Sequence, residues 1–207
     1  MTVVICIAFA LMCVFYLIFE RMKFASGSGR APRIAVKCAA TSMAVIVALL
    51  GCLKNGTAPH WIMLLGLIAG TVADGVLCVN FVAGGGVFAL GHALYITAFL
   101  MMRRPGWYSW LILFALLGLT AAAFIRFRKG LGRRSPHFIA YAVFLSMMVA
   151  CSSAQYPVYF IGALLFAFSD CLLGYQMMTR HRVKMSYISL GAYYLGQFLL
   201  GLGVYLT

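Results

Sequence analysis

Eight apolar runs of 17 to 22 residues, separated by short connections, constrain this chain more than any motif it carries. They occupy residues 2–20, 34–53, 61–79, 86–102, 107–125, 138–154, 157–178 and 185–206. About 20 apolar residues in helical form cross the ~30 Å hydrocarbon core of a bilayer. Inside lipid every backbone N–H and C=O must be satisfied within the chain, which leaves helices or closed barrels. These runs are too long and too evenly apolar for barrel strands, which alternate. The expected fold is therefore an all-α membrane protein, a bundle of eight transmembrane helices in a single integral domain over residues 1–207. Composition agrees, with 9% charged residues against about 25% in a soluble domain.

All five prolines fall at or beside the expected helix starts, where a missing N–H does no harm: Pro32, Pro59, Pro105, Pro136 and Pro157. The first run has no basic residue before it and no clean small-residue cleavage site after it, so it reads as a retained helix. The net charge of +13 would suggest nucleic acid in a soluble protein. Here the basic residues sit between apolar runs, which membrane orientation accounts for, and nucleic acid is not an expected partner. The odd-numbered connections hold twelve of them: Arg21, Lys23, Arg30, Arg33, Arg126, Arg128, Lys129, Arg133, Arg134, Arg180, Arg182 and Lys184. The even-numbered ones hold Lys54, Arg103 and Arg104. The odd connections are thus expected on the cytoplasmic side, with both termini opposite. A multi-pass protein of a bacterial inner membrane fits this pattern.

Polar side chains inside the runs are few. Asp74 and His92 lie about six residues either side of an expected glycine-containing turn over residues 81–86, so each is ~9 Å in from it on neighbouring helices. They are either a structural Asp–His pair or part of a functional site. Tyr95, three residues after His92, shares its helix face. Lys37, Tyr141, Asp170, Tyr193, Tyr194 and Gln197 fall in the same leaflet or near the midplane under this topology. Such convergence favours one polar cavity open toward the odd connections. Ionisable groups at this depth are costly, by about 2.5–3.5 kcal/mol each at a helix centre, and are functional candidates by default.

Only three acidic residues exist, and Glu20, beside Arg21 at a helix end, reads as a solvated charge. Asp74 and Asp170 are then the two membrane carboxylates. A pair of carboxylates can share one proton and so present an acid and a base in one cavity. The structural alternative pairs each with Lys37 or His92. A 4+4 parallel internal repeat is also suggested, since Gly66, Asp74 and Leu77 recur as Gly162, Asp170 and Leu173, and Lys37 aligns with Tyr141.

Other features carry less. The seven cysteines lie in apolar runs without metal-site spacing, and only His92 of four histidines is deep in a run, so no metal site is expected. No Gly-x-Ser-x-Gly elbow is present. Gly66 and Gly70 form a GxxxG, the mark of a close helix contact. Trp61, Trp107 and Trp110 read as interfacial anchors.

The segments ADGVLCVNFVAGGGVFALGHALYITAF, FIGALLFAFSDCLLG and AYYLGQFLL together resemble the lysoplasmalogenase (YhhN-type) family, from Lys37 to about Leu200. Family members usually read Lys-Pro where this chain has Lys37-Cys38. The resemblance implies an eight-helix, metal-independent enzyme. It would hydrolyse the vinyl ether of a lysophospholipid substrate, a lysoplasmalogen, to a fatty aldehyde and a glycerophospho-headgroup. Asp74 and Asp170 would be the catalytic residues. Lys37, His92, Tyr95, Tyr141, Tyr193, Tyr194 and Gln197 would bind substrate or hold the acid. The chemistry needs an acid for the alkene carbon, a water and no cofactor, for which two carboxylates suffice. The rival reading is a proton-coupled transporter using Asp74 and Asp170 as a relay. Its expected discontinuous helices are missing, since no proline interrupts a run.

The charge bias makes a direct prediction: a compartment-sensitive reporter fused after Thr207 reads the non-cytoplasmic side, and a cytoplasmic signal would invert the topology.

Overall fold

The computed structural model describes residues 2–24, 29–131, 135–179 and 183–207. Eight helices follow in order: α1 (Thr2–Phe24), α2 (Arg30–Asn55), α3 (Ala58–Leu77), α4 (Phe81–Met102), α5 (Trp107–Leu131), α6 (Ser135–Ser152), α7 (Pro157–Thr179) and α8 (Val183–Leu206). Each expected run is a helix. Among the described residues seven are long and apolar enough to cross a membrane, while the apolar stretch of α6, His137–Ser152, falls short of that length. Of the odd-connection charges, Arg133, Arg134, Arg180 and Arg182 lie outside the described residues.

The α3–α4 junction departs from expectation. The turn is Cys78-Val79-Asn80, and Gly84, Gly85 and Gly86 lie inside α4. Asn80 causes this: its Oδ1 accepts from the backbone N–H groups of Val82 at 3.0 Å and Ala83 at 3.1 Å, an N-cap that starts the helix ahead of the glycines. The glycines serve packing instead. A Cβ on Gly84 would lie 2.7 Å from the Leu77 backbone, so its absence lets α3 and α4 close up beside their turn.

The bundle is built from two tightly packed hairpins, α3–α4 and α7–α8. Helix α2 packs on α8, α1 and α3, while α6 packs on α4, α5 and α7. This exchange of neighbours does not establish the 4+4 repeat: the backbones of α3 and α8 approach each other, whereas α4 and α7 meet through side chains. The α2–α8 contact depends on missing side chains, because a Cβ on Gly51 would lie 2.5 Å from the Val204 carbonyl oxygen and one on Gly201 2.5 Å from that of Ala44. Large apolar side chains such as Leu17, Leu65, Leu90, Phe114 and Ile188 face outward. A bilayer rather than water suits that surface. Trp61, Trp107 and Trp110 are exposed near the starts of α3 and α5, at one end of the bundle, as interfacial anchors would be.

Overpacking the α2–α8 crossing should cost about 1–3 kcal/mol or more. Gly201→Val is expected to lower the thermal unfolding midpoint of purified protein in detergent. Gly118→Ala, whose Cβ meets open space, should hold or raise it, and equal effects would refute the close-approach account.

Candidate functional site

The odd-connection end of the bundle holds a partly open cavity of about 190 Å³. Helices α1, α2, α3, α4, α7 and α8 all contribute to its wall, and both membrane carboxylates, Asp74 and Asp170, line it together with Lys37 and Tyr193. Four residues from four helices, separated by up to 156 positions in the chain, are thus brought to one space.

Asp74 is 1% exposed. Its Oδ1 pairs with the Lys37 ammonium at 2.9 Å, and its Oδ2 accepts from the Tyr193 hydroxyl at 2.9 Å. A carboxylate in an apolar interior is tolerable only when its charge is met, and Asp74 has a counter-charge on Oδ1 and a hydrogen bond on Oδ2. The expected alternative partner, His92, does not reach it. His92 is fully buried, and its Nδ1 lies 2.7 Å from the Phe88 carbonyl oxygen, one turn back in α4.

Asp170 is held differently. The Tyr141 hydroxyl donates to its Oδ2, and among the described residues no cation pairs with it. Tyr141 is fixed by the His92 ring, 5.2 Å away edge-on, and His92 in turn by Phe166 at 5.0 Å. The two carboxylates therefore differ in kind: one is neutralised by an ammonium, the other is met only by a neutral phenol.

The remaining expected residues sit behind the cavity. The Tyr95 hydroxyl donates to Gln197 Oε1 at 3.2 Å. The GxxxG of α3 makes room for this pair, since a Cβ on Gly66 would strike the Tyr95 ring at 2.5 Å and one on Gly70 would approach Gln197 Nε2 at 2.9 Å. Tyr194 is buried with its ring 5.4 Å from Tyr193 and 5.9 Å from Tyr16. Tyr95, His92, Tyr194 and Gln197 support the cavity wall without lining it.

Several lining residues escaped the sequence reading. Ser169, Leu173 and Gln176 recur at helical spacing along α7 and share the cavity face with Asp170, a pattern visible once Asp170 is taken as a reference. Lys23, one of the basic residues of the first connection, also lines the cavity. Glu20 is a correction: it is 4% exposed, not solvated, and its Oε1 pairs with Lys23 Nζ at 2.6 Å. The α1 end is covered by α8 here, through Lys23 Nζ donating to Ser186 Oγ at 2.9 Å and Tyr16 donating to the Tyr187 carbonyl at 3.1 Å.

These features define a class: a polytopic helical membrane protein with an unlike pair of carboxylates lining one cavity. The particular family follows from the sequence, because the YhhN family model matches residues 32–204. The chain belongs to the YhhN family, which includes lysoplasmalogenases. Searches of curated proteins and of solved structures find no match.

Removing one partner of a buried ion pair costs about 3–5 kcal/mol, because the other charge stays behind uncompensated. Lys37→Met should therefore destabilise the protein strongly, and Lys37→Met combined with Asp74→Leu should recover much of the loss. Additive losses in thermal unfolding would show that the pair is not coupled.

Proposed function

We propose that this chain is a membrane ether hydrolase that cleaves the vinyl ether of a lysoplasmalogen. The observation that carries the reading is the pair of carboxylates in one cavity, one ion-paired and one not. Asp170 is the acid: its Oδ2 takes the Tyr141 hydroxyl, which leaves Oδ1 for the proton. That proton passes to the alkene carbon one removed from the ether-bearing carbon, and the C=C electron pair forms the new C–H bond. The ether oxygen's lone pair then stabilises the adjacent cation as an oxocarbenium ion.

Asp74 stays ionised through Lys37 and Tyr193, and its fixed charge faces the cation and orients the attacking water. Water adds to the cationic carbon and its proton returns to Asp170. The hemiacetal then collapses to a fatty aldehyde and a free glycerol hydroxyl. One water is consumed and both carboxyl groups are restored. No step calls for a metal or an organic cofactor. His92 and Tyr194 act indirectly, through ring contacts with Tyr141 and Tyr193, while the Tyr95–Gln197 pair braces the helices behind them. The bilayer supplies the substrate, and the basic bias of the odd connections supports a cavity that opens toward the cytoplasmic side.

Purified protein in detergent should release aldehyde from a lysoplasmalogen. Asp170→Asn and Asp74→Asn should each lower the rate by on the order of 10²-fold or more, the ordinary contribution of a general acid. Turnover in heavy water should place deuterium on the carbon next to the aldehyde, beyond what an enzyme-free aldehyde control acquires. A saturated alkyl-ether lysolipid should bind without being cleaved. Aldehyde lacking solvent deuterium, or full activity in either variant, would refute the mechanism, and proton-coupled transport through the two carboxylates would be tested next.

A further inference from the structure

Above the two carboxylates, the same cavity is lined by Lys23, Gln176 and Ser186. We infer that these three side chains form a phosphate subsite for the head group of the lipid substrate. The inference rests on the hydrolase reading, but it concerns a different set of residues and a different part of the ligand.

The three groups present donors. Ser186 Oγ accepts from Lys23 Nζ at 2.9 Å, so its own hydroxyl hydrogen is left to donate. Gln176 is 8% exposed, and its Nε2 has no hydrogen-bond partner. A buried amide donor without an acceptor is costly, and it marks a place where a ligand acceptor belongs. Lys23 is kept at the site by Glu20, whose Oε1 pairs with it at 2.6 Å. Glu20 is thus a positioning residue. An ammonium, a hydroxyl and an amide N–H around one cavity suit a phosphate, whose oxygens are acceptors only.

The spacing fits a single ligand. Gln176 lies six residues beyond Asp170 on α7 and Ser186 seven residues before Tyr193 on α8. Each interval is about 9–10 Å along a helix axis. A glycerol phosphate can bridge that interval, placing its ether oxygen at the carboxylates while its phosphate meets the donors. The subsite would therefore fix which bond of the lipid reaches Asp170, as remote binding contacts do.

The test is binding of lipids that cannot be cleaved, measured on the purified full-length chain in detergent. A saturated alkyl-ether lysophospholipid should bind about tenfold or more tightly than the matching alkylglycerol without phosphate. Gln176→Leu, and separately the near-isosteric Gln176→Glu that places an acceptor against the phosphate, should each remove that preference while leaving alkylglycerol binding unchanged. Lys23→Met should do the same. Arg104→Gln, exposed at the other end of the bundle, should change neither affinity. Glycerol 3-phosphate should displace the lysophospholipid only weakly, which assigns the phosphate to a lipid. Displacement by glycerol 3-phosphate at lower concentration than by the lipid would overturn that assignment. Equal affinity for the two lipids, or an unchanged preference in the Gln176 variants, would overturn the subsite. Because these lipids are not turned over, the result stands apart from aldehyde release: binding preference without turnover would sink the hydrolase reading alone, and turnover without preference would sink the subsite alone.

Discussion

The Lys37–Asp74 ion pair, completed by the Tyr193 hydroxyl, is the interaction on which the rest of this structure depends. A lone carboxylate or ammonium at this depth would cost several kcal/mol in lost solvation. Meeting both charges with each other, and the second carboxylate oxygen with a phenol, ties α2, α3 and α8 together at one level of the bundle. The approach this demands is made possible by small residues elsewhere on the same helices. Gly51 and Gly201 let the α2 and α8 backbones close, and Gly66 and Gly70 seat the Tyr95–Gln197 pair between α3, α4 and α8. The polar contact sets the register of the helices; the glycines permit the distance. In lipid, where apolar surface alone does not drive helices together, this division of labour is what physical reasoning expects.

Asp170 gains its character from what it lacks. It belongs to the other tight hairpin, α7–α8, and its hydrogen-bond partner Tyr141 comes from α6. An aromatic series of Tyr141, His92 and Phe166 backs it. Two carboxylates in one cavity would repel if both were ionised. An ammonium beside one and a neutral phenol beside the other separates their roles without a metal or a second base. The same cavity wall then continues along α7 and α8 to Gln176, whose amide Nε2 has no partner, and Ser186, held by Lys23, so one face of each helix carries both chemistry and recognition.

Much of this was legible before folding. Period-independent apolar runs and the position of every proline determine eight helices, because lipid leaves the backbone no other solution. Rarity made the site candidates visible: with only three acidic residues, two of them inside apolar runs, Asp74 and Asp170 could hardly be overlooked. Local detail was less secure. Gly84-Gly85-Gly86 has the composition of a turn, yet the Asn80 cap, a hydrogen-bonding effect of one side chain, starts the helix first. Glu20 looked like a solvated helix end, and only the approach of α8 toward the end of α1 buries it.

By itself, then, the sequence determined the helices, their apolar outer surface and the identity of the ionisable groups within them, since each of these follows from the cost of polar atoms in hydrocarbon. Pairing was decided by tertiary structure alone. Asp74 shares a hairpin with His92 but bonds to Lys37 and Tyr193, because which helices meet depends on where side chains are small enough to let backbones approach. The same holds for Lys23, Gln176 and Ser186, which are unrelated in sequence and share a cavity only because α1, α7 and α8 converge there. A one-dimensional pattern records which groups need a partner; the three-dimensional packing selects the partner.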